Sequence, residues 1–429
     1  MQVLDYTALK NTKLENLLQS CPFLIFCLIF EENLNSFLKD MTRHNNLRIL
    51  MLLALLLTAL NIYAGEDNIR FAYDVDFEMK FDNREYFHSA FTPSMTIYGA
   101  RLTPAVGLDI YQNEKMSHRL MAGIDIMKDF GSSPISTLLT GGEETPETSL
   151  KQNNAGLFRE LTIYYNLNAS AGNKDLQLYA GIFPRRALSG EYSEAFISDS
   201  LKFYDNNLEG ILLKIRKPRN YWELGCDRMG NYGQVRKERF VIFSYGQNTI
   251  TPFFKVGYTG YMYHFAESKK AKGVVDNFLL NPFMKFEFAG FLGMDEVSVR
   301  LGWLQAMQND RKFVDHYVFP GGGELDLAIK KWNVVLRNRL YCGTDIMPYY
   351  NNVDLGGDKY GNRLYFGDLF YRVHDDGSTG VGVYDRIELC YEPYVGKYLK
   401  IRVEARFCFH GASYSGCQQI ISLRFNLNK

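Results

Sequence analysis

Net charge is the first thing this chain lacks. Its 48 Lys and Arg are matched by 48 Asp and Glu. A nucleic-acid partner would favour clustered positive charge, so no nucleic acid is expected. Cysteine is sparse: of 7, Cys21 and Cys27 lie near the N-terminus, which leaves Cys226, Cys342, Cys390, Cys408 and Cys417. That number is odd and the spacing irregular. No C-x-x-C pair of the zinc type appears, so neither a metal nor a cofactor is expected. A bridge between Cys408 and Cys417 across a hairpin is one reading; isolated small strand residues are the other. Histidine is scarce too, at 7. No window after residue 64 keeps a helical period.

One long apolar run exists, and it sits near the N-terminus. From Met41 the chain reads MTRHNNLRILMLLALLLTALNIYAGED. Arg43 and Arg48 precede an apolar core from Ile49 to Leu60, and Ala64–Gly65 is a cleavage point. The core is shorter than the roughly 20 residues that cross a bilayer. Residues 41–64 therefore read as a secretory signal, residues 1–40 as an over-extended N-terminus, and residues 65–429 as the functional domain. The residue directly after the cleavage point is Gly65, not Cys, so no lipid anchor is indicated.

Alternation is abundant in what remains. In IRFAYDVDFEMKFD, Phe71, Tyr73, Val75, Phe77, Met79 and Phe81 fall on one side, and Asp74, Asp76, Glu78, Lys80 and Asp82 on the other. A period of two is a β-strand. LKIRVEARFCFH, from Leu399, and the terminal ISLRFNLNK repeat the pattern. Connections alternate between short turns, near residues 113, 170, 216, 245, 293, 330 and 394, and long polar segments. The long ones lie near 82–93, 131–156, 184–207, 229–237, 266–276, 308–322, 344–380 and 411–416. The partition gives about 16 strands of about 10 residues, the size of tilted membrane strands. One face then meets lipid and the other a lumen. The fold class is all-β: a transmembrane antiparallel β-barrel with short periplasmic turns and long external loops. A soluble sandwich would not need Lys400, Arg402, Glu404 and Arg406 on one face of one strand.

Signal, alternating strands, short–long loops and a C-terminal strand together resemble bacterial outer-membrane porin-like β-barrels, as architecture over residues 65–429. The terminal strand is similar to the assembly signal of such proteins, although it ends in Lys429 in place of an aromatic residue. The resemblance implies the outer membrane of a Gram-negative cell as location, and outer-membrane lipid and the barrel-assembly machinery as partners. It implies passive diffusion of small polar solutes, through a lumen narrowed by the third external loop. The constriction would comprise Arg185, Arg186, Glu191, Glu194 and Asp199 from that loop, facing Arg402 and Arg406 of the wall. Ser193 is expected to cap a short helix there. Acids on the first strand and bases on the last should meet across the closing seam.

Two other functions stand beside the channel: a non-conducting structural or secretion-partner barrel, and an outer-membrane hydrolase. A hydrolase needs a nucleophile with a base. His410 lies near Ser413 and Ser415 in sequence, but no Asp or Asn orienter is evident, so no enzyme is expected. The segment 344–380 offers Asp354, Asp358 and Asp368 as oxygen donors, at spacings that match no calcium loop. Its NRLYFGDLFYRV reads equally well as a hidden hairpin.

Overall fold

The computed structural model describes residues 68–87, 94–130, 158–230, 238–266, 273–353, 357, 359–374 and 380–428. The signal-like segment and everything before it lie outside these residues. A closed, antiparallel, 16-strand barrel is formed. Its strands are β1 (Ile69–Tyr86), β2 (Met95–Asn113), β3 (Met116–Asp129), β4 (Phe158–Ala171), β5 (Lys174–Pro184), β6 (Asn207–Arg216), β7 (Asn220–Gly230) and β8 (Arg239–Thr251). They continue as β9 (Phe254–Phe265), β10 (Val275–Ala289), β11 (Glu296–Asp310), β12 (Gly321–Lys331), β13 (Val334–Gly343), β14 (Gly382–Tyr391), β15 (Leu399–His410) and β16 (Ser413–Asn428). A two-residue piece, Tyr394–Val395, pairs with the start of β15 inside a turn.

Each strand pairs with its sequence neighbour, and β16 closes on β1 from Asp74↔Asn428 to Tyr86↔Gly416. Closure leaves no unpaired edge, which a sheet in hydrocarbon requires. The period of two divides the residues by face. Leu161, Ile163, Ile211, Trp303, Leu336 and Leu389 point out and are exposed, with Leu161 at 56%. Asp76, Lys80, Asp82, Arg101, Asp125, Arg386, Glu404 and Arg406 point in and are buried. An outward apolar band over a charged interior belongs to a barrel in the outer membrane. Exposed Trp332, Phe291 and Phe253 gather at the short-turn end, where an interfacial aromatic belt belongs. The short turns mark the periplasmic side and the long connections the cell exterior.

The seam pairs acid with base. Arg424 donates from Nε and Nη2 to Asp76 at 3.1 and 3.0 Å. Asn426 donates to Asp76 at 3.3 Å.

Several boundaries differ from the sequence reading. Strands run from 10 to 19 residues, with β1 and β2 well beyond the expected 10. The turn expected near 245 is inside β8. The segment 411–416 is not a long loop; β15 and β16 join through Gly411 and Ala412 alone. Gly411 takes φ +59°, a left-handed conformation that glycine adopts without steric cost. NRLYFGDLFYRV forms two single 3-10 turns, Gly361–Arg363 and Leu369–Tyr371, and no hairpin. All five cysteines among the described residues are free thiols, so Cys408 and Cys417 are not bridged.

Phe77 faces Phe425 and Leu102 on the outer wall, while Glu78 faces Arg424 and Arg101 inside. Phe77→Arg should lose about 2–4 kcal/mol of assembly free energy if it lies near the bilayer midplane, and Glu78→Ser close to none. Folding titrations into lipid vesicles check this; equal penalties at the two positions would reverse the sidedness.

Candidate functional site

Two external connections turn back into the barrel. L3 (residues 185–206) and L7 (344–381) carry most of the buried apolar side chains that do not belong to strands. In L3 these are Ala195, Phe196, Ile197 and Phe203; in L7 they include Ile346, Met347, Leu364, Tyr365, Phe370 and Tyr371. All of these but Phe203 pack in one cluster with wall residues such as Tyr261, Tyr263, Phe265 and Tyr384. Phe196 meets Tyr261 edge-on, with ring centroids 5.4 Å apart. Burying each such side chain contributes on the order of 1.5–3 kcal/mol. A charged barrel interior thus acquires an apolar core made by its own loops.

Local sequence shapes L3. Its helix α1 is Asp199–Tyr204, capped by Ser198, whose Oγ accepts from Leu201 N at 3.1 Å. Ser193, the expected cap, instead receives Ala195 N and donates to the wall residue Glu324. The two loops also bind each other. Ser198 N donates to Phe366 O at 3.1 Å, and Asp368 N to Glu194 O at 2.8 Å. A Cβ on Gly367 would stand 2.2 Å from Ala195 O, so only glycine allows this approach.

The expected constriction residues are paired, some with other partners than expected. Asp199 meets Arg406. Glu194 bonds Arg339 and Arg386, not Arg402. Glu191 takes Lys285 at 2.6 Å. Arg185 binds Asp227 at 3.2 Å and donates to Asp205 O at 2.8 Å. Arg186 reaches Asp74 at 2.5 Å and Asp76 at 3.4 Å on β1. Arg402 lies along the wall with Glu404 and Glu392. Other anchors had no sequence signal: Glu223 accepts from Ser189 N, Gly190 N and Tyr192 Oη at 3.1, 2.9 and 2.7 Å. Asp345–Arg372, Tyr371–Glu324, Asn277–Leu364 O and Gln308–Ile346 O hold L7 at 3.1, 2.7, 3.1 and 2.8 Å.

Arg386 is the hub. Its guanidinium binds Glu194 of L3, Asp368 of L7 at 2.5 Å and Glu388 of its own strand at 2.6 Å. Burial pushes the Glu194 and Asp199 carboxyls up, but the surrounding cations outweigh it and hold both well below the usual range. Those cations are Arg339 and Arg386 for Glu194, and Lys202 and Arg406 for Asp199. Asp368 goes the other way: burial raises it despite Arg386. Asp354 and Asp358 lie outside the described residues, and Asp368 is committed to Arg386. Among the described residues no group of three His, Cys, Asp or Glu could hold a metal ion.

Beneath the loops, two cavities face the short-turn end. The larger, about 750 Å³, is lined by both signs of charge, including Glu78, Lys80, Arg300, Asp326, Arg337 and Arg402. The second, about 640 Å³, lies beside it against β3–β5 and the last turn.

At the external rim a β-bulge re-aims one serine. Cys408 pairs with Gly416 and Phe409 with Tyr414, so Ser415 is the extra residue. Gly416 has φ +137°, and a Cβ there would stand 2.2 Å from Glu85 O. Tyr414 points out, while Ser415 is buried and its Oγ lies 3.3 Å from His410 Nδ1. His410 Nε2 lies 3.3 Å from Phe370 O, and its ring stacks on Phe370. Nε2–H is then the tautomer that donates to the carbonyl, leaving Nδ1 to accept from Ser415. His410 and Ser415 are close in sequence, but the orienting carbonyl comes from L7, and the bulge depends on pairing across strands.

Residues 67–240 match the family of lipid A 3'-O-deacylase-type proteins, less than half of the chain. No curated protein matches. Several solved outer-membrane proteins are similar in fold. OpdO of Pseudomonas aeruginosa is 9% identical with a TM-score of 0.46, over 83% of this chain and 97% of that one. A loop L8 deletion mutant of OmpT from Vibrio cholerae is 10% identical with a TM-score of 0.48, over 84% and 100%. OccAB4 of Acinetobacter baumannii is 9% identical with a TM-score of 0.40, over 85% and 99%. Likeness at this level says nothing about what the barrel does. The family match overturns two expectations from the sequence: that the protein is a porin-like diffusion channel, and that it is not an enzyme. The matching family is one of hydrolases. The physical reason that the sequence misled is that porin-like strands record only a lipid face and a polar face; they are silent on whether loops fill the lumen.

Arg386→Met removes a cation that Glu194, Asp368 and Glu388 share. Breaking such a pair costs about 3–5 kcal/mol. Amide exchange should accelerate in residues 190–204 and 364–372 while the strands stay protected; unchanged exchange there would remove Arg386 from the hub. The response to pH follows from the signs. Glu194 and Asp199 stabilise the docked loops above their ordinary values, and this is lost as pH falls through their lowered folded values. Asp368, raised, is relieved by acid first. Exchange protection in L3 should therefore hold from pH 7 to 5 and fall only below about pH 4; loss near pH 6 would contradict the assignment.

Proposed function

We propose that this protein is an outer-membrane hydrolase that removes an ester-linked acyl chain from a lipid A-type glycolipid. The observation that carries this reading is the family match over residues 67–240, which spans β1 to β7 and the start of β8. The loop-filled lumen supports it, since a barrel whose loops are tied to its wall serves as a rigid scaffold.

The chemistry is assigned to Ser415 and His410. Ser415 lies on the strand that closes against the matched segment, and its carbonyl accepts from Phe87 N at 2.8 Å. It stands at the external rim beside a two-residue turn, close to where outer-leaflet lipid ends. Ser415 Oγ attacks the ester carbonyl as its proton passes to His410 Nδ1. The ester C–O bond breaks, and the departing alkoxide takes that proton. Water then cleaves the acyl-serine by the same route in reverse, releasing a fatty acid. Phe370 O keeps the imidazole oriented and would stabilise its charge when protonated.

Lipid A from cells making the protein should lose one acyl chain by mass spectrometry. Ser415→Ala and His410→Gln should each slow that loss by about 10²–10⁴-fold, with barrel assembly intact. Wild-type protein that leaves lipid A unchanged would retire the hydrolase reading. Full activity in Ser415→Ala would move the nucleophile elsewhere.

A further inference from the structure

The smaller cavity is not part of the rim site. It opens at the periplasmic end, between the last turn, the ends of β1 and β16, and the base of L3. Its volume is about 640 Å³, enough for a sugar ring with substituents.

The lining combines three kinds of group. Tyr164, Tyr179, Tyr394 and Tyr398 supply aromatic side chains, with Lys400 over the Tyr394 ring and Lys214 over that of Tyr179. No hydrogen bond to their hydroxyls is found among the described residues. Asn166, Asn426 and Asn428 add amides. Among the described residues, Arg119, Arg186, Lys397, Lys400 and Arg424 bring five cations against one lining carboxylate, Asp74.

Most of that charge is already balanced. Arg119 is held by Asp109 at 2.6 Å, Arg424 by Asp76 at 3.0 Å, Arg186 by Asp74 at 2.5 Å, and Lys400 by Glu392. Lys397 has no carboxylate within ion-pair distance among the described residues. It lies 5.2 Å from the ring centroid of Tyr398. Among the described residues the cavity thus has one cation without a carboxylate, aromatic side chains and tyrosine hydroxyls without hydrogen bonds.

We propose that this cavity binds a sugar acid from the periplasmic side, its single carboxylate on Lys397. The ring's apolar faces lie on the tyrosines, whose amphipathic form offers a flat body and a polar tip. Its hydroxyls bond the tyrosine hydroxyls and asparagine amides. A neutral sugar leaves Lys397 without a partner, and a small carboxylate leaves the aromatic faces bare.

The test is calorimetric titration of the full protein in detergent with glucuronate, glucose and acetate. Glucuronate should bind saturably and at least ten-fold more tightly than either control. Lys397→Glu, in an exposed turn, should weaken it at least ten-fold, and Tyr398→Ala should weaken it as well. No saturable binding, equal binding of acetate or glucose, or affinity unchanged by Lys397→Glu would each overturn the proposal. If either variant fails to assemble, Lys397→Gln supplies the same comparison with the charge removed.

Discussion

The buried cluster around Arg386 is the constraint on which the interior depends. One guanidinium joins the third connection, the seventh connection and the wall through Glu194, Asp368 and Glu388. Taking these charges out of water is costly, and their attraction repays the cost only when the geometry and the further hydrogen bonds are good. Their value is therefore in specifying one docked arrangement more than in net stability. Arg339 and Arg406 extend the cluster to Glu194 and Asp199. The apolar side chains of both loops can bury against one another only while these polar anchors hold the loop backbones in place.

That arrangement bears on function. With L3 and L7 docked, the external half of the lumen holds packed aromatic side chains, and open space remains toward the periplasm. On the hydrolase reading proposed above, chemistry on a lipid substrate would take place at the rim. There the seam, the bulge at Ser415 and the carbonyl of Phe370 converge. L7 serves both ends of this account: Asp368 anchors it to Arg386, and two residues later Phe370 orients His410.

Much of the wall was legible in the sequence. Strict alternation from Phe71 to Phe81 assigned the faces of β1, and the charged row of β15 assigned the lumen. A period of two is a local signal, and lipid on one side enforces it strongly. The inward course of the third connection was expected from the porin resemblance, beside its aromatics and mixed charges. Its exact partners were not, because Arg339 and Arg386 come from strands far away in sequence. The helix cap was read five residues early, since Ser193 and Ser198 are both suitable caps and tertiary contacts chose between them. The core contributed by L7 was hidden by its Asp, Asn and Gly content. The bulge that turns Ser415 toward His410 exists only because strands pair with a slipped register, which no single-strand pattern records. A turn was misread near 245 because Tyr-Gly-Gln-Asn resembles one locally, while β8 runs through it.

Loops anchored on Arg386 close the lumen from outside. Single-channel recording of the refolded protein in a planar bilayer tests this closure most directly. The wild-type barrel should show no stable open conductance. A steady, long-lived open level in correctly assembled protein would contradict it.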